Sequence, residues 1–309
     1  SEESLGEKIK KAVITVPANF GNDRRNATLK AGELAGLDVV KIINEPTAAA
    51  LAYCMENTGG DELIKVMVYD LGGGTFDVTI GEFKDGVLDV LGGDGDDELG
   101  GKDFDNMLID YLSEEFLKEH GIDLRDDDSL RFRLSKAAEK AKKTLSSRDN
   151  VDVAIPFLTA KDGKPLGINT SLTRESFEGL ISEKLNGTRK AIQKALKKSK
   201  LKKDDIDLVL LVGGSTRIPM VKDIVIDEMG QKPKFDIDPD LAVAMGAAIQ
   251  GSIIAGGTDA VIMDRTYQAL GTAVTTEISG QLISGYFDEI IPNNSEHLRE
   301  FSKKYRTLN

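Results

Sequence analysis

Apolar and polar positions along the chain follow two periods. Short runs of β-type composition, such as Val66-Met67-Val68-Tyr69 and Leu208 to Val212, are interleaved with longer stretches whose apolar residues recur every three to four positions. The pattern predicts strands at 12–16, 38–43, 65–70, 75–82, 86–92, 151–158 and 207–212. It predicts helices at 22–36, 46–57, 103–119, 129–147, 173–199, 217–229 and 239–255. Strands alternating with helices predict an α/β fold whose sheet is covered on both faces. Pro46 suits a helix start, and Gly36 and Gly121 suit helix ends. The small residues from Ala48 to Ala52 permit close helix packing.

Two glycine turns interrupt this pattern. In the first, an apolar run ends at Asp70 and is followed by Gly72, Gly73, Gly74, Thr75 and Asp77, after which alternation resumes through Val78 and Ile80. That is strand, tight turn and returning strand. Glycine lets backbone N–H groups approach an anion with no Cβ in the way. Thr75 adds a hydroxyl, and the two carboxylates suit a hard, oxygen-seeking ion such as Mg²⁺. The arrangement reads as a cradle for a Mg–nucleotide, although any hairpin can contain three glycines. In the second turn, Gly213-Gly214-Ser215 follows an apolar run, and Arg217 opens a helical pattern through Met229. Strand, glycine turn and helix start form a second anion site, with free N–H groups and the helix dipole aimed at the turn. Neither turn has the G-K-[ST] of a P-loop, nor G-x-G-x-x-G in a strand-to-helix context.

Composition narrows the classes. The 309 residues suffice for a large core and more than one domain, and the net charge of −12, from 52 acidic and 40 basic side chains, disfavours nucleic acid as a partner. The lysines between Lys194 and Lys203 read as the solvated face and end of a helix, and Asp94-Gly95-Asp96-Asp97-Glu98 as a loop without calcium-loop spacing. Cys54, the single cysteine, reads as a small buried apolar residue. His120 and His297 are remote from both turns, so histidine-based catalysis is not expected. No apolar run reaches the ~18 residues of a membrane span, and no leader pattern opens the chain. A soluble, cytoplasmic protein is expected.

The two turns, together with Val13-Ile14-Thr15-Val16-Pro17-Ala18 and Ile43-Asn44-Glu45-Pro46-Thr47-Ala48-Ala49-Ala50, resemble the nucleotide-binding domain of the seventy-kilodalton heat-shock chaperones of DnaK type. Leu99-Gly100-Gly101 with Asp103-Phe104-Asp105, Glu139-Lys140-Ala141-Lys142 with Leu145-Ser146-Ser147, and Pro239-Asp240 with Ala242-Val243-Ala244 are similar too, and in the family's order. The resemblance implies an actin-like ATPase (ribonuclease H-like) fold, two lobes flanking a cleft. It divides the chain into a partial first lobe at 1–60, a second lobe at 61–258, an apolar linker at 259–264 and a remnant of a substrate-binding domain at 265–309. The boundary near Asp61 to Leu63 follows the Gly59-Gly60 turn.

The resemblance also implies roles. Gly72, Gly73, Gly74 and Thr75 would wrap the phosphates of ATP or ADP. Asp70 would hold Mg²⁺ through its water shell, and Glu45 and Asp77 would help place the ion or the attacking water, with Thr75 among the catalytic group. Glu139, Lys142, Lys143 and Ser146 would grip adenine and ribose, their spacing placing them on one side of a helix. The same spacing marks a plain salt-bridged surface helix. Gly213, Gly214, Ser215 and Arg217 would close on base and phosphates, with Asp240 assisting through water. Implied partners are unfolded polypeptide clients, a J-domain protein and a nucleotide exchange factor, in protein folding and the stress response.

There are departures from the family pattern. Asn19 stands where the family has an aromatic residue, Glu98 where it has histidine, and Lys102 where it has glutamate; the family carries arginine or another residue at Lys143. The family's first glycine turn and its phosphate-contacting lysine have no counterpart after Ser1, so efficient hydrolysis by this polypeptide is not expected. The segment 265–309 is shorter than the ~100 residues of a sandwich domain. An exposed strand edge where the missing strands would pair, and with it self-association or instability, is expected. Two other readings are a non-catalytic module binding nucleotide or a co-chaperone, and an actin-like assembly protein or sugar-kinase relative. The match beyond the shared turns weighs against the last.

Overall fold

A five-stranded sheet carries the glycine turns. In the computed structural model, which describes residues 2–57, 62–234, 238–239, 241–257, 260–266, 268–279, 281–295 and 300–305, its strand order is β8-β3-β4-β5-β9. Gly59, Gly60 and Asp61, where the expected lobe boundary falls, lie outside the described residues, as do Asp240, Gly280 and His297.

The described strands are β1 (Lys11–Val16), β2 (Asp38–Asn44), β3 (Ile64–Leu71), β4 (Phe76–Lys84), β5 (Val87–Asp96), β6 (Asn150–Lys161), β7 (Lys164–Thr173), β8 (Leu208–Val212), β9 (Val261–Met263), β10 (Leu270–Ile278) and β11 (Gln281–Ile291). The helices are α1 (Glu2–Leu5), α2 (Asn22–Leu34), α3 (Glu45–Asn57), α4 (Gly101–His120), α5 (Asp128–Leu145), α6 (Arg174–Ser199), α7 (Pro219–Met229) and α8 (Ala242–Ile254). Strands β3, β4 and β5 form an antiparallel meander, and β8 and β9 add in parallel at its two edges. The pairs β1–β2, β6–β7 and β10–β11 are separate two-stranded sheets.

Period-two alternation sorts the central strands onto two cores. Met67, Tyr69 and Leu71 of β3, with Val209 and Leu211 of β8, face one way into a cluster completed by Phe104 and Leu108 of α4, Leu134 of α5 and Phe177 and Ile181 of α6. Val66 and Val68, with Leu208, Leu210 and Val212, face the other way onto Leu51 and Cys54 of α3 and Ala242 of α8. Both faces are therefore covered, as the runs of continuous apolar residues predict. A Cβ on Gly246 would strike the carbonyl of Ala48, so α3 and α8 cross at backbone contact. Residues before and after the expected boundary thus share one core.

Three expectations change. The acidic run is not a loop over its whole length: β5 continues to Asp96, pairing Asp94 with Val78 and Asp96 with Phe76. Lys198 Nζ at 2.8 Å and Lys194 Nζ at 3.3 Å neutralise Asp94, which lets the acid sit in a strand. Those same lysines are thereby not merely solvated. The helix expected from Arg217 is a 3₁₀ turn over Gly214–Arg217, and the α-helix begins at Pro219, where the missing N–H costs nothing. Within the segment expected as a linker, Val261–Met263 is a strand of the main sheet. Cys54 is buried, and burial pushes its thiol up to about 12, as its reading as a core residue requires.

Candidate functional site

The first glycine turn joins β3 to β4, and Gly72 N–H donates to the Thr75 carbonyl at 3.0 Å to close it. None of Gly72, Gly73 and Gly74 adopts positive φ, and a Cβ on Gly73 or Gly74 would meet no heavy atom within 4 Å. Protein packing does not impose glycine at those two positions. It does at the start of α4. Gly101 N–H donates to the Gly72 carbonyl at 3.0 Å and Lys102 N–H to the Gly73 carbonyl at 2.8 Å. A Cβ on Gly100 would collide with the backbone of Gly73 and Gly74, and one on Gly101 would lie 2.6 Å from Ser215 Oγ and 2.9 Å from Lys142 Nζ. Asp103 Oδ2 accepts from Gly100 N–H at 2.8 Å and fixes the helix start. The second turn joins from the other side, where Ser215 Oγ donates to the Gly72 carbonyl at 2.8 Å.

Between these elements lies a cavity of about 610 Å³. Nine of the residues singled out in the sequence line it: Gly72, Gly73, Glu139, Lys142, Lys143, Ser146, Gly214, Ser215 and Arg217. Sequence reasoning about the site missed Gly101, Lys102, Asp105, Ser135 and Ile218, which complete the wall. Their one prior signal was position: Ser135 lies four residues before Glu139 on α5, and the others lie in or beside the motifs already quoted.

Most of the charges in the wall are engaged. Lys142 Nζ donates to the Gly101 carbonyl at 2.7 Å and to Asp105 Oδ2 at 2.9 Å. Burial raises the Asp105 carboxyl and the bond from Lys142 lowers it, while Oδ1 is sealed with no hydrogen-bond partner among the described residues. Glu139 pairs with Lys143 at 2.6 Å, Arg217 with Asp238 at 3.2 Å, and Ser146 Oγ donates to the Lys142 carbonyl at 3.1 Å.

Behind the turn is a carboxylate cluster outside the cavity wall. Asp70 and Asp77 stand directly opposite each other across β3 and β4, and both are buried. Burial raises the Asp70 carboxyl well above its usual range, and the charges of Glu45 and Asp77 push it further. Asp77 is held up to about 7: burial raises it most, Ala18 N–H lowers it, and Glu45 raises it again. Ala18 N–H reaches Asp77 Oδ2 at 3.3 Å and Asn19 Nδ2 reaches Oδ1 at 2.6 Å. Burial also raises Glu45, the first residue of α3. Gly213, at φ +84°, leaves no room for a Cβ beside the Leu71 carbonyl and Asp70 Oδ1, so here the left-handed turn and the close approach both require glycine. Among the described residues no three acidic, histidine or cysteine side chains stand close enough to hold a metal ion directly.

A family model described as Hsp70 protein matches residues 1–307. The chain belongs to the Hsp70 family. Its α/β architecture with a mixed sheet is the actin-like fold of the Hsp70 nucleotide-binding domain. Curated Hsp70 relatives agree along its whole length. It is 49% identical to the chaperone protein DnaK of Thermosipho melanesiensis, over 99% of this chain and 51% of that protein. It is 48% identical to the DnaK of Thermosipho africanus, over 99% of this chain and 50% of the relative, and 48% to that of Thermotoga maritima, over 100% and 51%. The chain thus spans about half the length of the curated Hsp70 relatives it matches. No helix among the described residues is long and apolar enough to cross a membrane.

Proposed function

We propose that this chain binds ATP and ADP with Mg²⁺ and serves as the nucleotide-binding part of an Hsp70-type chaperone. The observation that carries this reading is the cavity, where two glycine turns remote in sequence are joined by the Ser215–Gly72 hydrogen bond and face the polar row of α5. The turn residues Gly73, Gly74 and Thr75 offer N–H groups to phosphate beside the positive end of α4; Glu139, Lys143 and Ser146, with Gly214 and Arg217, offer a polar wall to adenosine. The donor set of Asp70, Asp77 and Glu45 is all oxygen and suits Mg²⁺. Its members do not converge to ligand distance, so the ion would be held through its water shell, where it supplies charge neutralisation. Asp240 belongs to the same proposal. So do the division into two lobes, linker and substrate-domain segment, the cytoplasmic location, and the partners: unfolded polypeptides, a J-domain protein and an exchange factor.

Calorimetric titration of the chain with ATP and ADP in the presence of Mg²⁺, with phosphate release followed in the same samples, tests this. Saturable binding of both nucleotides is the expected result, and its absence refutes the assignment. Phosphate release distinguishes an ATPase from a nucleotide-binding module.

A further inference from the structure

Four cationic side chains line the cavity, and three of them are paired with other groups of the protein. Lys142 is bonded to Gly101 and Asp105, Lys143 to Glu139, and Arg217 to Asp238. The fourth, Lys102, is exposed and has no side-chain hydrogen bond or ion pair among the described residues. The acids beside it are committed elsewhere: Asp103 caps α4 and lies 4.0 Å from Lys184, and Asp105 holds Lys142. Lys102 is also in a poor place for a cation. It is the second residue of a 20-residue helix, where the dipole favours negative charge. Its backbone is pinned, since Lys102 N–H donates to the Gly73 carbonyl at 2.8 Å, so the root of the side chain sits beside the glycine turn. A lysine that neither packs nor pairs, and that opposes its own helix, has no role in the fold that the structure shows.

We propose that Lys102 is a phosphate-binding residue of the cavity, its ammonium meeting the phosphate chain of a bound nucleotide beside Gly72 and Gly73. This rests on the nucleotide reading of the cavity and adds a residue to it. The helix dipole and the turn N–H groups attract the same anion, so the cation that is unfavourable to the empty helix becomes favourable on binding. Lys142 is spent on the protein itself and Lys143 is paired with Glu139 on the adenosine side, which leaves Lys102 as the cation from α4 and α5 with no side-chain partner among the described residues.

The test compares wild type, K102E and K102R with three probes: Mg–ATP, adenosine and inorganic tripolyphosphate. The expected result for K102E is Mg–ATP binding weaker by about five- to tenfold, adenosine unchanged within about twofold, and a weaker salt dependence. K102R should retain Mg–ATP affinity. In the absence of ligand, K102E should melt about 1 °C higher, because an acid suits the helix start. Equal losses for ATP and adenosine would mean a damaged cavity and overturn the proposal, as would an unchanged ATP affinity. If wild type binds no nucleotide, the functional reading falls, and tripolyphosphate decides separately: binding lost in K102E supports Lys102, and binding that is absent or indifferent to K102E overturns it.

Discussion

Asp77 is an acid that the fold prefers uncharged. Its carboxyl is held up to about 7, mainly by burial, against an ordinary value of 3.8. Between those two pH values the unfolded chain has released a proton that the folded chain keeps. Stability from this group is therefore full below about 4 and is lost as pH rises toward 7. Asp70 and Glu45 are raised too and act in the same direction. Replacing Asp77→Asn should flatten the fall in stability across pH 4–7 and raise the melting temperature at pH 8, a gain on the order of 3 kcal/mol. Thermal melts from pH 4 to 8 check this, and a wild-type profile that rises with pH would contradict it. The pairing of two acids around a glycine turn is legible in the sequence. That the acids face each other, buried and close enough to Glu45 to feel its charge, is not, because it depends on how α3 docks against β3 and β4.

At the level of elements, the start of α4 is the keystone between the two turns. Gly100 and Gly101 lie against different kinds of neighbour, and the two alanine variants should part accordingly. A Cβ at Gly100 meets backbone of the glycine turn, which cannot step aside; Gly100→Ala should cost about 3 kcal/mol in urea unfolding. A Cβ at Gly101 meets the ends of Ser215 and Lys142, which can swing; Gly101→Ala should cost about 1 kcal/mol in the same assay yet weaken nucleotide binding. The helices with strong apolar periods, α5 and α6, were legible almost to their ends. Strand β7 was not, although its signal was present: Asp162 and Gly163 both take positive φ in a two-residue turn that pairs Lys161 with Lys164. Lysines on both sides of the turn and a polar outer face hid the alternation. The end of β5 was hidden for another reason. Its acids are tolerated only because Lys194 and Lys198 arrive from α6, a contact no local window contains.

Across the whole molecule, the segment beyond β9 differs from the rest. Among the described residues, strands β10 and β11 pair only with each other, and Leu282 (70% exposed) and Phe287 (54% exposed) lie open to solvent. A two-stranded hairpin is marginal in water and its bare edges invite pairing with another copy. Wild type should associate with rising concentration in sedimentation velocity, and the double variant Leu282→Asp, Phe287→Asp should shift it toward monomer. A wild type that sediments as monomer at every concentration would argue against this. The cavity has the opposite character, since its walls are drawn from positions 72 to 218 and none is sufficient alone. Its assembly requires closure of long chain loops, so it forms late in folding. On a translating ribosome, the walls from the first glycine turn and α4 emerge well before Arg217 does. A nascent chain therefore has no complete pocket until most of the main sheet has been synthesised, and the appearance of ligand affinity would serve as a clock for completion of the fold.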